Sequence, residues 1–256
     1  MPNTAVNQTD KRQVEFLRGC LVGSYKVGKS WLAATGIDPI LFLDIDQRAA
    51  SVAGKPGVYT WTPTNPPGLA MQPTVYNDTL NMVATLEKTR LLGEIHPDFA
   101  KDARAGENVR TLVLDSMQSM SREILAYSLY VNPSIRREIK IAGQSLFFPG
   151  GFDAWNADIY AVDQLISRLV AIPGIDFFAI FHEEDENGKI NTYPGRHRHV
   201  TRYFNEVWRL VRKTNVPETQ FEPDYAFTAC TTLTGVPSRV VGANIKELIS
   251  KYGKRG

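Results

Sequence analysis

Cysteine is scarce in this sequence, which argues against two classes of protein. The chain has two cysteines among 256 residues, Cys20 and Cys230, and both lie in apolar, strand-like segments. Small secreted domains that depend on disulfides are dense in cysteine, so we interpret this pair as buried thiols in a reducing compartment. No CxxC pair or Cys/His spacing indicates a zinc site.

Long hydrophobic runs are also missing. The longest are short segments such as IDFFAIF at residues 175–181, whereas a helix that spans a membrane needs about 20 apolar residues. The first 13 residues are polar and lack the apolar region of a secretory signal. We therefore expect a cytoplasmic protein. The formal net charge of +2 is too small to argue for or against a polyanionic partner.

Strands and helices alternate along the first 180 residues, and the strands are apolar almost throughout. This pattern predicts an α/β fold with a mainly parallel sheet flanked by helices on both faces. Three later segments, EVWRLVRK, TQFEPDYAFTACTT and SRVVGA, are predicted to add antiparallel strands near the C-terminus. We expect a flexible tail over residues 1–13 and a single domain over 14–256, with an irregular inserted segment at 132–151.

A phosphate-binding loop follows the first predicted strand. The stretch GSYKVGKS matches G-x-x-x-x-G-K-[ST] at every fixed position, between an apolar strand and a predicted helix. Glycines let backbone N–H groups approach phosphate oxygens, Lys29 supplies a charge for the outer phosphates, and Ser30 offers a hydroxyl to Mg²⁺. The loop therefore predicts ATP and Mg²⁺ as cofactors, with a binding set of Gly23, Ser24, Tyr25, Lys26, Val27, Gly28, Lys29 and Ser30. Trp31 and Leu32 are expected to pack beneath the helix.

Acidic residues and one histidine stand where three further strands end. Parallel strands deliver such side chains to one edge of the sheet. Asp115 in TLVLDS is a candidate to hold Mg²⁺ with Ser30, or alternatively a cap for the next helix. In LFLDIDQ, Asp46 is the candidate that polarises the attacking water, or else a turn residue, and Asp44 is a structural candidate. His182 in AIFH could contact the γ-phosphate or the water, or be a structural histidine.

These features, taken in order, resemble the RecA-like core. They are most similar to the short phage-encoded RecA-like ATPases implicated in recombination and single-strand annealing. In RecA-like proteins a hydrophobic–Asp–x–Glu element ends the strand after the loop helix, and its Glu activates water; Asp46 stands at that place here. FHEEDENGKINTYPG looks like the histidine and hairpin of the phage branch. The resemblance spans residues 15–211. It implies a RecA-like P-loop NTPase core, Mg²⁺-dependent ATP hydrolysis, a single-stranded DNA partner, a homo-oligomer and, for a phage-encoded chain, the host cytoplasm.

A basic segment interleaved with aromatic residues lies at 194–213. Cationic side chains neutralise phosphates and aromatic rings stack on exposed bases, so Arg196, Arg198 and Arg202 are candidate contacts to single-stranded DNA. An ordinary solvated basic face and an arginine finger that reaches a neighbouring subunit are the alternatives. A second basic patch, Arg136, Arg137 and Lys140, lies in the inserted segment.

Two other functions stay open at this stage. A small-molecule kinase for nucleotides would share the phosphate loop and could use the 194–213 segment as a lid. An ATP-gated assembly module would bind ATP and hydrolyse it weakly, because Asp46 is shorter than glutamate. A GTPase is disfavoured because the sequence has no NKxD stretch.

Overall fold

Twelve strands and six helices make up the described chain. The computed structural model describes residues 16–65, 73–141, 144–186, 189–191, 200, 202–212, 217–220, 236–237 and 239–253. The strands are β1 (Arg18–Gly23), β2 (Ile40–Asp44), β3 (Val58–Trp61), β4 (Thr111–Asp115), β5 (Arg136–Ile141), β6 (Gln144–Pro149), β7 (Asp176–His182), β8 (Glu184–Glu186), β9 (Lys189–Asn191), β10 (Glu206–Val211), β11 (Glu218–Gln220) and β12 (Arg239–Val241). The helices are α1 (Lys29–Ala33), α2 (Val75–Lys88), α3 (Leu92–Ile95), α4 (Met117–Val131), α5 (Phe152–Ala171) and α6 (Ile245–Tyr252).

Eight strands form one central sheet in the order β12-β11-β10-β1-β7-β4-β2-β3. The six strands from β10 to β3 are parallel, and β11 and β12 are antiparallel additions at one edge. Because the order places β1 between β7 and β10, the loop after β1 has acidic strand ends on one side and the antiparallel strands on the other. The predicted fold class, a mainly parallel sheet with antiparallel strands near the C-terminus, is confirmed.

Helices cover both faces of the sheet because its central strands are apolar on both faces. In β1, Cys20 and Val22 join the core under α2, α4 and α5, whereas Leu21 faces the core under α1 and α6. The strand β7, DFFAIFH, is buried over its whole length. This two-sided burial is what a near-continuous apolar strand predicts.

Two sequence predictions are wrong in detail. Strand β10, within EVWRLVRK, runs parallel to β1 and is not antiparallel. The segment 132–151 is not irregular: most of it is the antiparallel hairpin β5–β6, in which Ile139 pairs with Leu146.

A second hairpin, β8–β9, forms where the Asn-Gly pair predicted one, with Glu186 opposite Lys189. No helix in the described ranges is long and apolar enough to cross a membrane.

Candidate active site

The loop from Gly23 to Ser30 joins β1 to α1 and forms the floor of the site. Gly28 has a φ of 103°, in a region that favours glycine. A Cβ at this position would stand 2.9 Å from Cγ of Pro217, so a side chain would also collide with the wall beside the loop. Glycine is therefore required here for conformation and for space.

Lys29 is buried inside this loop. Its Nζ donates to the carbonyl oxygens of Gly23 and Ser24, at 2.7 Å each. Burial lowers the pKa of the ammonium to about 8, while the Asp115 carboxylate acts in the opposite direction. Neutral carbonyls thus hold the ammonium group inside the loop, and phosphate oxygens would be stronger acceptors for it.

Ser30 and Asp115 meet across the site as the sequence predicts. Ser30 Oγ donates to Asp115 Oδ2 at 2.5 Å. Burial raises the pKa of the Asp115 carboxyl, partly offset by this hydrogen bond. Ser116, rather than Asp115, caps helix α4 by accepting from the N–H of Ser119. The capping alternative for Asp115 is therefore wrong, and its carboxylate is directed to the loop.

Asp46 lies just beyond β2 and accepts hydrogen bonds on both carboxylate oxygens. Oδ1 accepts from the hydroxyls of Ser116 (2.9 Å) and Ser119. Oδ2 lies 3.2 Å from Nε2 of His182. Burial alone would raise the pKa of Asp46, but the hydrogen bonds from His182, Ser119 and Ser116 outweigh it and lower the pKa to about 2. The carboxylate is ionised and firmly oriented.

His182 ends β7 directly beside the phosphate loop, paired in register with Gly23. Tyr25 of the loop stacks on its imidazole, with ring centroids 4.1 Å apart and planes 12° from parallel. Its Nδ1 is buried and has no hydrogen-bond partner among the described residues. The ring is fixed by Asp46 and Tyr25 and keeps one nitrogen for a ligand or a water molecule.

Asp44 has a structural role, as expected. Its carboxylate accepts from the backbone N–H groups of Arg48 (2.9 Å) and Ala49 (3.1 Å) and from the Thr62 hydroxyl (3.3 Å). These contacts hold the turn that follows β2.

A cavity of about 530 Å³ lies over the loop and brings these groups together. One ligand atom each from Asp46, Asp115 and His182 lies within 4.8 Å of the others. Oxygen donors such as the Ser30 hydroxyl and the Asp115 carboxylate are the ligands that Mg²⁺ prefers. An anion can pair with the buried ammonium of Lys29. An ordered water can hydrogen-bond to Nδ1 of His182, which has no partner among the described residues. These groups together fit a nucleoside triphosphate with Mg²⁺.

Some predicted site residues fall elsewhere. Arg196 and Arg198 lie outside the described residues, as does Cys230. Arg202 is exposed and bonds to Asp163 of α5 at 2.9 and 3.0 Å. Its charge is thereby partly neutralised within the chain.

Two contributors to the site were not predicted from the sequence. Ser116 and Ser119 orient Asp46, and their spacing of three residues at the start of a helix was a usable signal. Trp31 is wrongly predicted as a packing residue: it is 50 % exposed and lies under Nζ of Lys55 at 4.2 Å, whereas Leu32 is buried as expected.

Comparisons with known proteins give a family and similar solved structures. A family model described as an AAA domain matches residues 15–207. Among solved structures, an ATPase from the type III secretion system of pathogenic bacteria shares 17 % identity at a TM-score of 0.43. That match covers 77 % of this chain and 51 % of the other, so this chain spans about half its length. The RadB recombinase shares 14 % identity at a TM-score of 0.40, over 84 % of this chain and 86 % of the other. The search of curated proteins found no match.

Proposed function

The chain belongs to the AAA domain family and is a P-loop ATPase, and on that premise we propose that it hydrolyses ATP with Mg²⁺ while acting on single-stranded DNA. The cellular role that we propose is phage-type recombination, annealing or replication, carried out as a homo-oligomer. The observation that carries the catalytic part is the convergence of Asp46, Asp115 and His182 over the phosphate loop.

Each group has a separate task in hydrolysis. Lys29 and the loop N–H groups bind the outer phosphates, and Ser30 and Asp115 would hold the Mg²⁺. When bound, the ion neutralises charge that develops on the β- and γ-phosphate oxygens. The ionised carboxylate of Asp46 can only accept, so Nε2 of His182 donates in their contact, and Nδ1, which has no partner among the described residues, remains available to a water molecule. Asp46 and His182 therefore position the attacking water rather than remove its proton outright.

The hairpin β5–β6 supports the proposal of a single-stranded DNA partner. Arg137 and Lys140 are exposed on it, and Phe148, which pairs with Arg137 across the strands, is 39 % exposed. At the start of α5, Phe152 is 87 % exposed. Cations together with exposed rings suit a strand whose bases are unpaired. Arg136 is a weaker candidate because it donates to the carbonyls of Leu129 and Tyr130.

The test is ATP turnover with and without single-stranded DNA over a series of salt concentrations. We expect stimulation that falls steeply with salt. The apparent binding constant for the DNA, obtained from the DNA concentration that gives half-maximal stimulation, should fall with a log–log slope against salt of about −0.7 per phosphate contact. The double variant Arg137→Ala/Lys140→Ala is expected to flatten that slope by about 1.4. The control Lys88→Ala/Lys101→Ala removes the same charge from another exposed surface and should leave the slope unchanged. DNA that neither binds nor stimulates would refute the DNA role, and a phosphorylated nucleoside product would favour a kinase.

A specific observation also supports the ATP-gated assembly alternative. Both carboxylate oxygens of Asp46 are engaged by Ser116, Ser119 and His182, so the group has little freedom to act on water. Weak turnover with ATP-dependent oligomers would fit that arrangement. Size measurements with ATP on the Asp46→Asn variant separate the two functions: assembly that survives the substitution favours gating.

A further inference from the structure

Arg48 is a cation of the active-site cavity to which the hydrolytic steps give no task. Its side chain is exposed and lines the cavity together with Lys29, Asp46 and His182. Among the residues that the structure describes, no carboxylate pairs with its guanidinium, whose one contact there is the ring of Tyr25. The charge of this arginine is therefore available to an anion that enters the cavity.

The backbone at Arg48 is fixed, so its side chain enters the cavity from a set position. Its N–H donates to Oδ1 of Asp44 at 2.9 Å, in the turn that follows β2. Its Cζ lies 5.8 Å from the centre of the Tyr25 ring, within the range of a cation–π contact. The same ring stacks on His182 with centroids 4.1 Å apart. Because one ring contacts both groups, the guanidinium and the imidazole lie at the same end of the cavity.

The order of strands places Arg48 on the side of β1 where the terminal phosphate must lie. Strand β2, which Arg48 follows, is on the same side of β1 as β4 and β7, whose ends carry Asp115 and His182. A second cavity of about 410 Å³ adjoins the loop on the other side of β1, and Arg48 is not part of its lining. Hydrolysis requires the γ-phosphate to meet Asp46, Asp115 and His182, so Arg48 faces the terminal phosphate rather than the rest of the nucleotide.

The charges at this end of the cavity favour a second cation. A triphosphate is strongly negative, and the carboxylates of Asp46 and Asp115 add negative charge beside it. Lys29 is a point charge held within the loop, whereas a guanidinium offers a fork of N–H donors that matches phosphate oxygens. We infer that Arg48 binds the terminal phosphate of ATP within its own chain and stabilises the charge that develops there during hydrolysis.

The guanidinium takes no part in bond making or proton transfer in this step. The oxygen of the attacking water bonds to the γ-phosphorus, and the bond from that phosphorus to the bridging oxygen breaks with its electron pair left on ADP. Both water protons leave with the phosphate as H₂PO₄⁻, which can then lose one to solvent. Arg48 holds the outer phosphate oxygens while charge is redistributed among them. Since the cation comes from the turn after β2 of the same chain, no arginine finger from a neighbouring subunit is needed.

Binding measurements test this inference, which rests on the proposed nucleotide function, and separate the two. Calorimetry with Mg²⁺ compares ADP, which lacks the γ-phosphate, with ADP and aluminium fluoride, which imitates the phosphoryl group in transfer. Arg48→Ala should keep the ADP affinity within twofold of the wild type and weaken binding of the aluminium fluoride complex by about 100- to 1,000-fold. Arg48→Lys should recover part of that loss, because it keeps the charge without the fork. The control Arg122→Ala removes an exposed arginine of α4 outside the cavity and should change neither affinity.

Turnover of mixed variants supplies a second readout. The kcat of Arg48→Ala should fall about 100- to 1,000-fold while its KM stays within a few-fold of the wild type. Chains of Lys29→Ala still carry Arg48, so they would restore turnover to Arg48→Ala chains only if this arginine acted on a neighbour's ATP. We expect no restoration.

Three results would overturn the assignment of Arg48: restored turnover in the mixture, wild-type turnover in Arg48→Ala, or equal losses of affinity for ADP and its aluminium fluoride complex. A wild-type chain that binds neither ligand would instead overturn the nucleotide function itself.

Discussion

The substitution Asp46→Asn tests the centre of the proposed mechanism because it removes a charge and keeps the shape. The side-chain oxygen of asparagine can still accept from the hydroxyls of Ser116 and Ser119, which bond to Oδ1 of Asp46. At the Oδ2 position, 3.2 Å from Nε2 of His182, an amide group replaces the carboxylate oxygen. The imidazole therefore loses the anionic partner that orients it.

The expected magnitudes follow from these three contacts. The two serine bonds change from charge-assisted ones of about 1.5–3 kcal/mol to neutral ones of about 0.5–1.5 kcal/mol, and the contact with His182 loses its acceptor. The gross loss is then at most a few kcal/mol, and it is reduced because a buried charge no longer has to be desolvated. We expect the free energy of unfolding to fall by less than about 3 kcal/mol. Turnover should fall about 100-fold, the order of the loss when a reacting group is misplaced by about 1 Å.

The assay measures phosphate release and ATP binding on the same preparations, with unfolding in urea as the check on folding. ATP affinity should stay within a few-fold of the wild type, since Lys29, Ser30 and Asp115 are untouched. Asp44→Asn is the matched control: it neutralises a carboxylate two residues away that also accepts three hydrogen bonds. That variant should lose stability and keep most of its turnover. Wild-type turnover in Asp46→Asn would refute the role of Asp46, as would an equal loss in both variants.

Three further predictions concern the loop and the sheet. Lys29→Ala should abolish phosphate release, because no other described cation occupies the loop's interior; turnover at the wild-type rate would contradict this. Tyr25→Ala should lower turnover about 2- to 12-fold by removing the ring that stacks on His182, an interaction of ~0.5–1.5 kcal/mol, while Tyr25→Phe keeps it; equal effects of the two would argue against stacking. Arg18→Ala should lower the free energy of unfolding by about 2–4 kcal/mol, because its guanidinium donates to the carbonyls of Leu17, Val170, Ile172 and Ile175; an unchanged urea midpoint would contradict it.

The local parts of the fold and site could be predicted because their signals are local. The phosphate loop is a contiguous stretch, and glycine, lysine and serine act there through their own backbone and side-chain chemistry. The apolar strands ending in Asp115 and His182 predicted a buried parallel sheet, and parallel strands bring their ends to one edge. These predictions required no knowledge of which strand is next to which.

The predictions that failed depend on contacts between distant residues. The direction of β10 is decided by its pairing with β1, nearly 190 residues earlier in the chain. Trp31 looked like a core residue because indole is apolar, yet the surface of α1 that carries it faces a cavity and Lys55. Helical and strand periodicity describes one segment at a time, so neither result could be derived from it.

The sequence by itself determined the phosphate loop, the apolar strands and the kinds of group that end them, because these follow from residue type and spacing. Only the tertiary structure decided how those groups are used. It set Asp46 between two serines and a histidine, turned Asp115 toward Ser30, and opened a second cavity on the far side of the loop. The physical reason is that a hydrogen bond or a cavity wall requires two surfaces at van der Waals distance. The order of strands in the sheet, rather than their order in the chain, determines which surfaces meet.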